Sequence, residues 1–240
     1  MKNVIGIIPA RGGSKRLPNK NTKILAGKPL IEHTIKAAKK SNYLDDIIVS
    51  TDDEKIANIS KKLGVKAPFL RPAEISGSEA YDRDVILHIL NYLNRKSKLQ
   101  YSIFVYLRPT SPFRKASNID KVIGELIDSN NYTGLRTVTK VEGVYHPYWI
   151  FREINGVIHP VVEGVKIENY YQSQMLPPCY RLNGAVDAGR TEIIVDNKNI
   201  YGDNIGINIL ESPIDHDIDT QLDFDLAEFY ISKYNLIRKS

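Results

Sequence analysis

The chain alternates short apolar runs with longer amphipathic ones. "NVIGIIPA" is a continuous β-branched run that ends in "RGGSKR", the pattern of a strand buried on both faces and closed by a polar loop. "PLIEHTIKAAKKS" sets Leu30, Ile31, Thr34, Ile35 and Ala38 at helical spacing, with Pro29 suited to a first turn. "DDIIVSTDD" predicts a second buried strand running into acidic residues, and "DEKIANISKKLG" an amphipathic helix stopped at Gly64. "EAYDRDVILHILNYLNRK" reads as a helix, and "YSIFVYLRPTSPF" as a third buried strand broken by prolines. "SNIDKVIGELIDSN" reads as a further helix, with Ser117 as its N-cap.

This alternation predicts an α/β fold with a doubly wound, mostly parallel sheet and right-handed crossovers. Ligands of such sheets sit beyond the carboxyl ends of the strands. Three loops fall there: "PARGGSKRLPNKN", "STDD" and "RPTSP". From Lys140 to Gln174 the pattern changes to short alternating segments separated by Asn-Gly and Glu-Gly, which suggests β-hairpins. This stretch is expected to be a β-rich insertion or flap within one domain spanning 1–240, serving oligomerisation or covering the site. "YRLNGAVDAG" and "NIGINIL" then resume the core, and "FDLAEFYISKYNLI" closes it as an amphipathic helix.

Composition narrows the partners. No apolar run is long enough for a membrane span, and the N-terminus lacks the order of a signal peptide. A single cysteine, Cys179, excludes an internal disulfide framework, so a reducing, cytoplasmic location is expected. The net charge of +5 would suit nucleic acid, but the basic residues are scattered and not interleaved with aromatics. A basic cluster aimed at a polyphosphate explains the excess as well, and neither a nucleic-acid nor a membrane partner is expected.

The first loop holds Arg11, Lys15, Arg16 and Lys20, while Gly12 and Gly13 would let backbone N–H groups approach an anion. It is neither the Walker pattern nor the dinucleotide fingerprint. The plainer alternative is a solvated basic loop. Near the C-terminus, "HDIDTQLDF" would point Asp217 and Asp219 to one face if extended, a pair suited to Mg²⁺ shared with substrate phosphates. Here the plainer alternative is an acidic loop with a helix-capping aspartate. The five histidines have no zinc spacing, no G-x-S-x-G elbow occurs, and no base stands beside Cys179 in "PPCY".

"IIPARGGSKRLPNKN", "IIVSTDDEKIA", "LRPAEISG", "LRPTSPFR", "LPPCYRLNGAV" and "DIDTQLDF" occur in this order. Together they resemble the acylneuraminate cytidylyltransferase (CMP-sialic acid synthetase) family, over nearly the whole chain. The resemblance implies a Rossmann-like nucleotidyltransferase sheet, with a homodimer formed through the inserted β-rich segment. The implied reaction is attack by the anomeric hydroxyl of a nine-carbon ulosonic acid on the α-phosphate of CTP, with Mg²⁺ as cofactor and pyrophosphate leaving. Carried over by position, Arg11, Lys20 and Asp219 would be catalytic, and Asp217 with Asp219 would hold the metal. Ala10, Arg11, Gly12, Gly13, Lys20, Asn21, Arg71, Thr110 and Ser111 would meet the nucleotide. Arg108, Gln174, Asn183 and Asp187 would meet the sugar. The general base is not evident.

Four departures fall on or near the implied sugar side. Arg108 stands where the family has the glutamine of L-Q-P-T-S-P, and Asp187 stands where a tyrosine is common. "QSQ" (Gln172, Ser173, Gln174) replaces a basic "RRQ", and Asp82 replaces a small hydroxyl residue. An arginine accepts no hydrogen bond and is always charged, so the first change is not conservative. Arg108 with Asp187 is therefore expected to read an anionic or amino-substituted acceptor rather than N-acetylneuraminic acid. Rival readings are a nucleotidyltransferase for another acceptor (a ketodeoxyoctulosonate-like sugar acid or a sugar phosphate) or another nucleotide, and a non-catalytic nucleotide-binding protein.

Overall fold

The computed structural model describes residues 3–96, 100–196, 199–211 and 213–237. Its strands are β1 (Val4–Pro9), β2 (Ile24–Leu25), β3 (Lys28–Pro29), β4 (Asp46–Ser50), β5 (Ile103–Tyr106), β6 (Gly134–Lys140), β7 (Phe151–Ile154), β8 (Val157–Pro160), β9 (Tyr180–Arg190) and β10 (Ile205–Ile209). Its helices are α1 (Leu30–Lys39), α2 (Glu54–Lys62), α3 (Asp82–Lys96), α4 (Ala116–Asp128), α5 (Thr191–Asp196) and α6 (Gln221–Tyr234).

Six strands form the central sheet in the order β10-β6-β9-β5-β1-β4. Neighbours run parallel except around β9, which is antiparallel to both β5 and β6. β1 shows why the sheet sits at the centre. Val4 and Ile8 pack into the cluster containing Ile31, Val49, Ile56, Ile119 and Val122, which belongs to α1, β4, α2 and α4. Ile5 and Ile7, pointing the other way, join Val85, Ile86, Ile89 and Ile194 of α3 and α5. A strand with helices over both faces must be apolar at every position, as "VIGII" is.

A third cluster locks the C-terminus onto the first loop. Phe224, Ala227 and Ile231 of α6 pack with Leu17, Leu25, Leu30, Phe113 and Ile218. Thr220 caps the helix, its hydroxyl accepting from Asp223 N–H while the Asp223 carboxylate accepts from Thr220 N–H at 2.7 Å.

Several details differ from expectation. α4 begins at Ala116, with Lys115 rather than Ser117 at the N-cap; the Asn118 side chain accepts from Lys115 N–H at 2.8 Å and supplies the cap from inside the first turn. Pro29 ends β3 and precedes α1 instead of lying within it. Between Lys140 and Gln174 one hairpin forms, not several. Its β7–β8 turn is Asn155-Gly156, both at positive φ (52° and 79°) as a type I′ turn requires. Gly164 of the Glu-Gly pair also has positive φ but joins no paired strands. Asp217 and Asp219 lie in irregular chain rather than a strand, held by Ile218 N–H donating to Thr110 C=O at 2.8 Å.

Truncating Phe224 to Ala removes the largest ring of the α6 clamp, which is 3% exposed. Chemical unfolding of Phe224→Ala should show a loss of about 3–5 kcal/mol.

Candidate active site

Beyond the carboxyl ends of β1 and β5 lies a cleft of about 470 Å³, a size ordinary for small-molecule sites; the "STDD" loop after β4, expected there as well, does not line it. Its walls include Arg11, Arg16, Lys20, Asn21, Arg71, Asp82, Tyr106, Arg108, Thr110 and Asp219. Residues far apart in sequence thus meet at one place, and the backbone explains how.

The β1 ladder ends with Ala10 N–H donating to Ser50 C=O at 2.9 Å, which buries Ala10 and releases Arg11 to the rim. Arg11 donates to Gly77 C=O at 2.9 Å across the cleft mouth. Asn19, at φ 56°, turns the chain into the short 3₁₀ turn Lys20–Thr22, which delivers Lys20 and Asn21 inward. Asn21 is buried and donates to Arg11 C=O at 2.9 Å, tying the loop's two ends together. Lys20 Nζ donates to Asp219 Oδ1 at 2.9 Å and to Ile218 C=O at 3.0 Å. Arg16 reaches the other oxygen, Asp219 Oδ2, at 2.6 Å.

The glycines act differently from expectation. The Gly12 N–H already donates to Asp52 Oδ1 at 2.8 Å, so it is not free for a phosphate. A Cβ on Gly12 would stand 2.7 Å from Asp53 Oδ2, so glycine is required there by the "STDD" loop packed against it. Space around Gly13 is open.

The electrostatics separate the two C-terminal aspartates. Burial alone would raise the Asp219 carboxyl, but Lys20 and Arg16 hold it below the usual carboxylate range. Asp217 is exposed at the surface, yet the protein atoms crowding it remove part of its hydration and push its carboxyl upward; the Thr110 hydroxyl opposes this and the charge of Asp219 adds to it. Burial lowers the Arg71 guanidinium, whose Nε has no partner among the described residues; the group is 7% exposed in the cleft wall.

The sugar-side residues do not assemble as expected. Asp187 is fully buried, accepting from Arg108 Nη1 at 2.5 Å and from Arg136 at 2.9 and 3.0 Å. Arg108 spends its other Nη on Asp82 at 2.6 Å, and Asp82 also accepts from the Tyr106 hydroxyl at 2.8 Å. Asn183 is buried as well; its amide donates to Thr139 and accepts from Thr137, bracing a bulge at Gly184 (φ 66°). Gln174 is exposed, bonds to Gln172 and lies outside the cleft walls. Ser111 is buried beneath the loop, its hydroxyl without a partner among the described residues, while Thr110 lines the cleft.

Sequence reasoning missed Arg136 and Tyr106. The available signal was "GLRTVTK", where an arginine interrupts a strand that otherwise reads as buried.

A cationic cleft at the switch of an α/β sheet, with Asp219 on its wall and Asp217 outside its lining, defines a nucleotide-handling site of the nucleotidyltransferase class. Residues 5–229 match the cytidylyltransferase family, and the chain belongs to it. It is 34% identical over 230 residues to the CMP-N,N'-diacetyllegionaminic acid synthase of Legionella pneumophila, covering 94% of each chain. It is 32% identical over 230 residues to the pseudaminic acid cytidylyltransferase of Campylobacter jejuni, covering 95% of each. Among solved structures, a CMP:2-keto-3-deoxy-manno-octonic acid synthetase complexed with CTP has the same fold. It superposes with a TM-score of 0.71 at 16% identity, over 97% of this chain and all of the other.

Ionising Asp217 costs stability as pH rises, because its folded-state carboxyl lies above the unfolded value. Asp217→Asn should therefore be more stable than wild type at pH 7, with the gap closing toward pH 3, where both forms are neutral. Urea unfolding at the two pH values checks this.

Proposed function

We propose that this protein is a CMP-sugar synthase. It transfers CMP from CTP to the anomeric hydroxyl of a sialic-acid-like ulosonic acid and releases pyrophosphate. The observation that carries the reading is the clasp of Lys20 and Arg16 on Asp219, inside a cleft whose chain matches cytidylyltransferases from end to end of the domain.

Arg11, Lys15, Arg16 and Lys20 crowd one end of the cleft and suit a triphosphate. Their role is to hold the α-phosphate in line with the incoming hydroxyl and to neutralise charge that gathers on the departing pyrophosphate. Asn21 fixes the Arg11 carbonyl, and so the direction in which Arg11 leaves the strand.

The aspartates fit a hard divalent cation. Asp217 and Asp219 lie close enough for one charge to oppose the other, and among the described residues no third carboxylate, histidine or cysteine joins them. Mg²⁺ takes one or two carboxylates and fills its remaining positions with water and phosphate oxygens, which matches so sparse a set. Bound there, it would supply Lewis-acid neutralisation of the phosphates. Lys20 and Arg16 would then be free to turn from Asp219 to the nucleotide.

The reading extends to a homodimer. Val157 and Ile158 of the hairpin, Leu182 of β9 and Ile207 of the edge strand β10 are 49–66% exposed, too much apolar surface to leave in water. A second copy of this chain is the proposed cover. Sedimentation should give a dimer for the wild type and a shift toward monomer for Ile158→Asp combined with Ile207→Asp.

Pyrophosphate release measured with CTP, UTP, GTP and ATP across a panel of sugar acids tests the activity. CTP with an ulosonic acid should be the productive pair. Lys20→Met should lower kcat/KM about 10²–10³-fold, and Asp219→Ala should abolish turnover. Preference for another nucleotide or for sugar phosphates would overturn the assignment.

A further inference from the structure

Three of the four departures from the family pattern are one structure. Asp82, Arg108 and Asp187 form a continuous chain of ion pairs that Arg136 completes. Two cations face two anions, so the group is neutral as a whole. Its ends differ: Asp187 is fully buried, whereas the Asp82 side chain is 38% exposed and lines the cleft.

The geometry constrains what Arg108 can do. Nη1 is engaged by Asp187 and Nη2 by Asp82, and the guanidinium sits 5.0 Å over the Tyr106 ring. An arginine grips a carboxylate through two parallel N–H bonds, and here one N–H of each terminal nitrogen already points at a different carboxylate, which fixes the plane of the guanidinium. The pocket behind is tight. A Cβ on Gly184 would approach Arg108 Nη1 to 3.3 Å, and Gly184 holds a positive φ beside it. Arg108 therefore cannot swing back to meet a ligand without stranding Asp187, a buried carboxylate left with Arg136 alone.

We propose that Asp187 and Arg136 are positioning residues that act through Arg108 to fix the Asp82 carboxylate on the cleft wall. That wall then selects an uncharged group bearing O–H or N–H donors and excludes an anionic one. Of the expectation that Arg108 and Asp187 read an anionic or amino-substituted acceptor, this keeps a donor-bearing group and drops the anionic one, and it rests on the cytidylyltransferase reading. The donor-bearing group belongs either to the sugar acid or to the nucleoside, and Asp82 lines the cleft proposed to hold both.

The test compares two classes of acceptor with CTP: sugar acids bearing hydroxyl or acetamido groups, and the same sugars carrying one additional carboxylate. Asp187→Asn frees Arg108, and Asp82→Asn removes the anion at the wall. Each should shift the kcat/KM ratio at least tenfold toward the carboxylate-bearing acceptors. The Asp187→Asn shift should vanish when that change is combined with Arg108→Gln, an outcome that a merely structural role for Asp187 would not produce. Asp82→Asn, at a half-exposed position, keeps the test decisive should Asp187→Asn fail to fold. Calorimetry of CTP binding separates the two sources: weaker CTP binding in Asp82→Asn assigns the donor to the nucleoside, unchanged CTP binding with a raised acceptor KM assigns it to the sugar. An unchanged ratio in folded variants, or an Asp187→Asn shift that persists without Arg108, overturns the proposal. Failure of the wild type to turn over any acceptor with CTP overturns the underlying assignment instead.

Discussion

The clasp of Lys20 and Arg16 on Asp219 joins the first loop of the chain to the segment just before its last helix, across 199 and 203 residues of sequence. The loop from Arg11 to Lys23 contains no strand and only one short 3₁₀ turn. It is held by Leu17 packing against α6, by the Asn21 bond and by these charges. An exposed ion pair contributes little to stability, but Lys20 is only 13% exposed and its bond to the Ile218 carbonyl adds a second anchor. The same contact therefore closes the cleft floor and sets the cations that serve it. A ligand that draws Lys20 away must replace what Asp219 loses, which is why an added cation at that carboxylate is chemically economical.

The charges of the second half of the cleft obey a different constraint. A carboxylate that is fully buried, as Asp187 is, survives only with partners on both oxygens, and Arg136 and Arg108 provide them. The cations are stabilised in turn by the rings beneath them, Tyr106 under Arg108 and Tyr201 under Arg136, at 5.0 and 4.6 Å. Asp187 holds both guanidiniums above their ordinary basicity despite burial, and Asp82 reinforces Arg108. Exchanging one member of such a set leaves an unmatched charge, so these residues constrain one another more than any of them constrains the backbone.

This difference explains what could be read in the sequence. The helices over both faces of β1, the three loops at the strand ends and the type I′ turn at Asn155-Gly156 follow from local periodicity and turn chemistry, and the structure has them. Lys20, Arg108 and Thr110 were legible as cleft residues because each sits in a loop at the end of a strand, Asp219 through its D-x-D pattern, and Arg71 only through the family resemblance. What failed was partner choice. That Gly12 donates to Asp52 depends on β4 lying beside β1, and that Asn183 braces a bulge and Asp187 faces inward depends on β9 running antiparallel between β5 and β6. Register across three strands fixes which residues oppose each other: Tyr106 with Asp187, and Asp187 with Arg136. No pattern within a single segment encodes that.

The distribution of charge then favours a small polyanion over a nucleic acid. Six cationic side chains against two carboxylates line the cleft, while the whole chain carries an excess of +5. Most of the net charge is therefore concentrated in one concavity rather than spread along a face that a helical backbone could follow. A concave wall of low dielectric strengthens each of those interactions and raises the local concentration of anions. Such a field weakens as salt screens it, but less inside the cleft than at its rim. Arg11 and Arg16, at the mouth, would act chiefly on capture, whereas Lys20 and Arg71, deeper in, would keep their hold through the transfer itself.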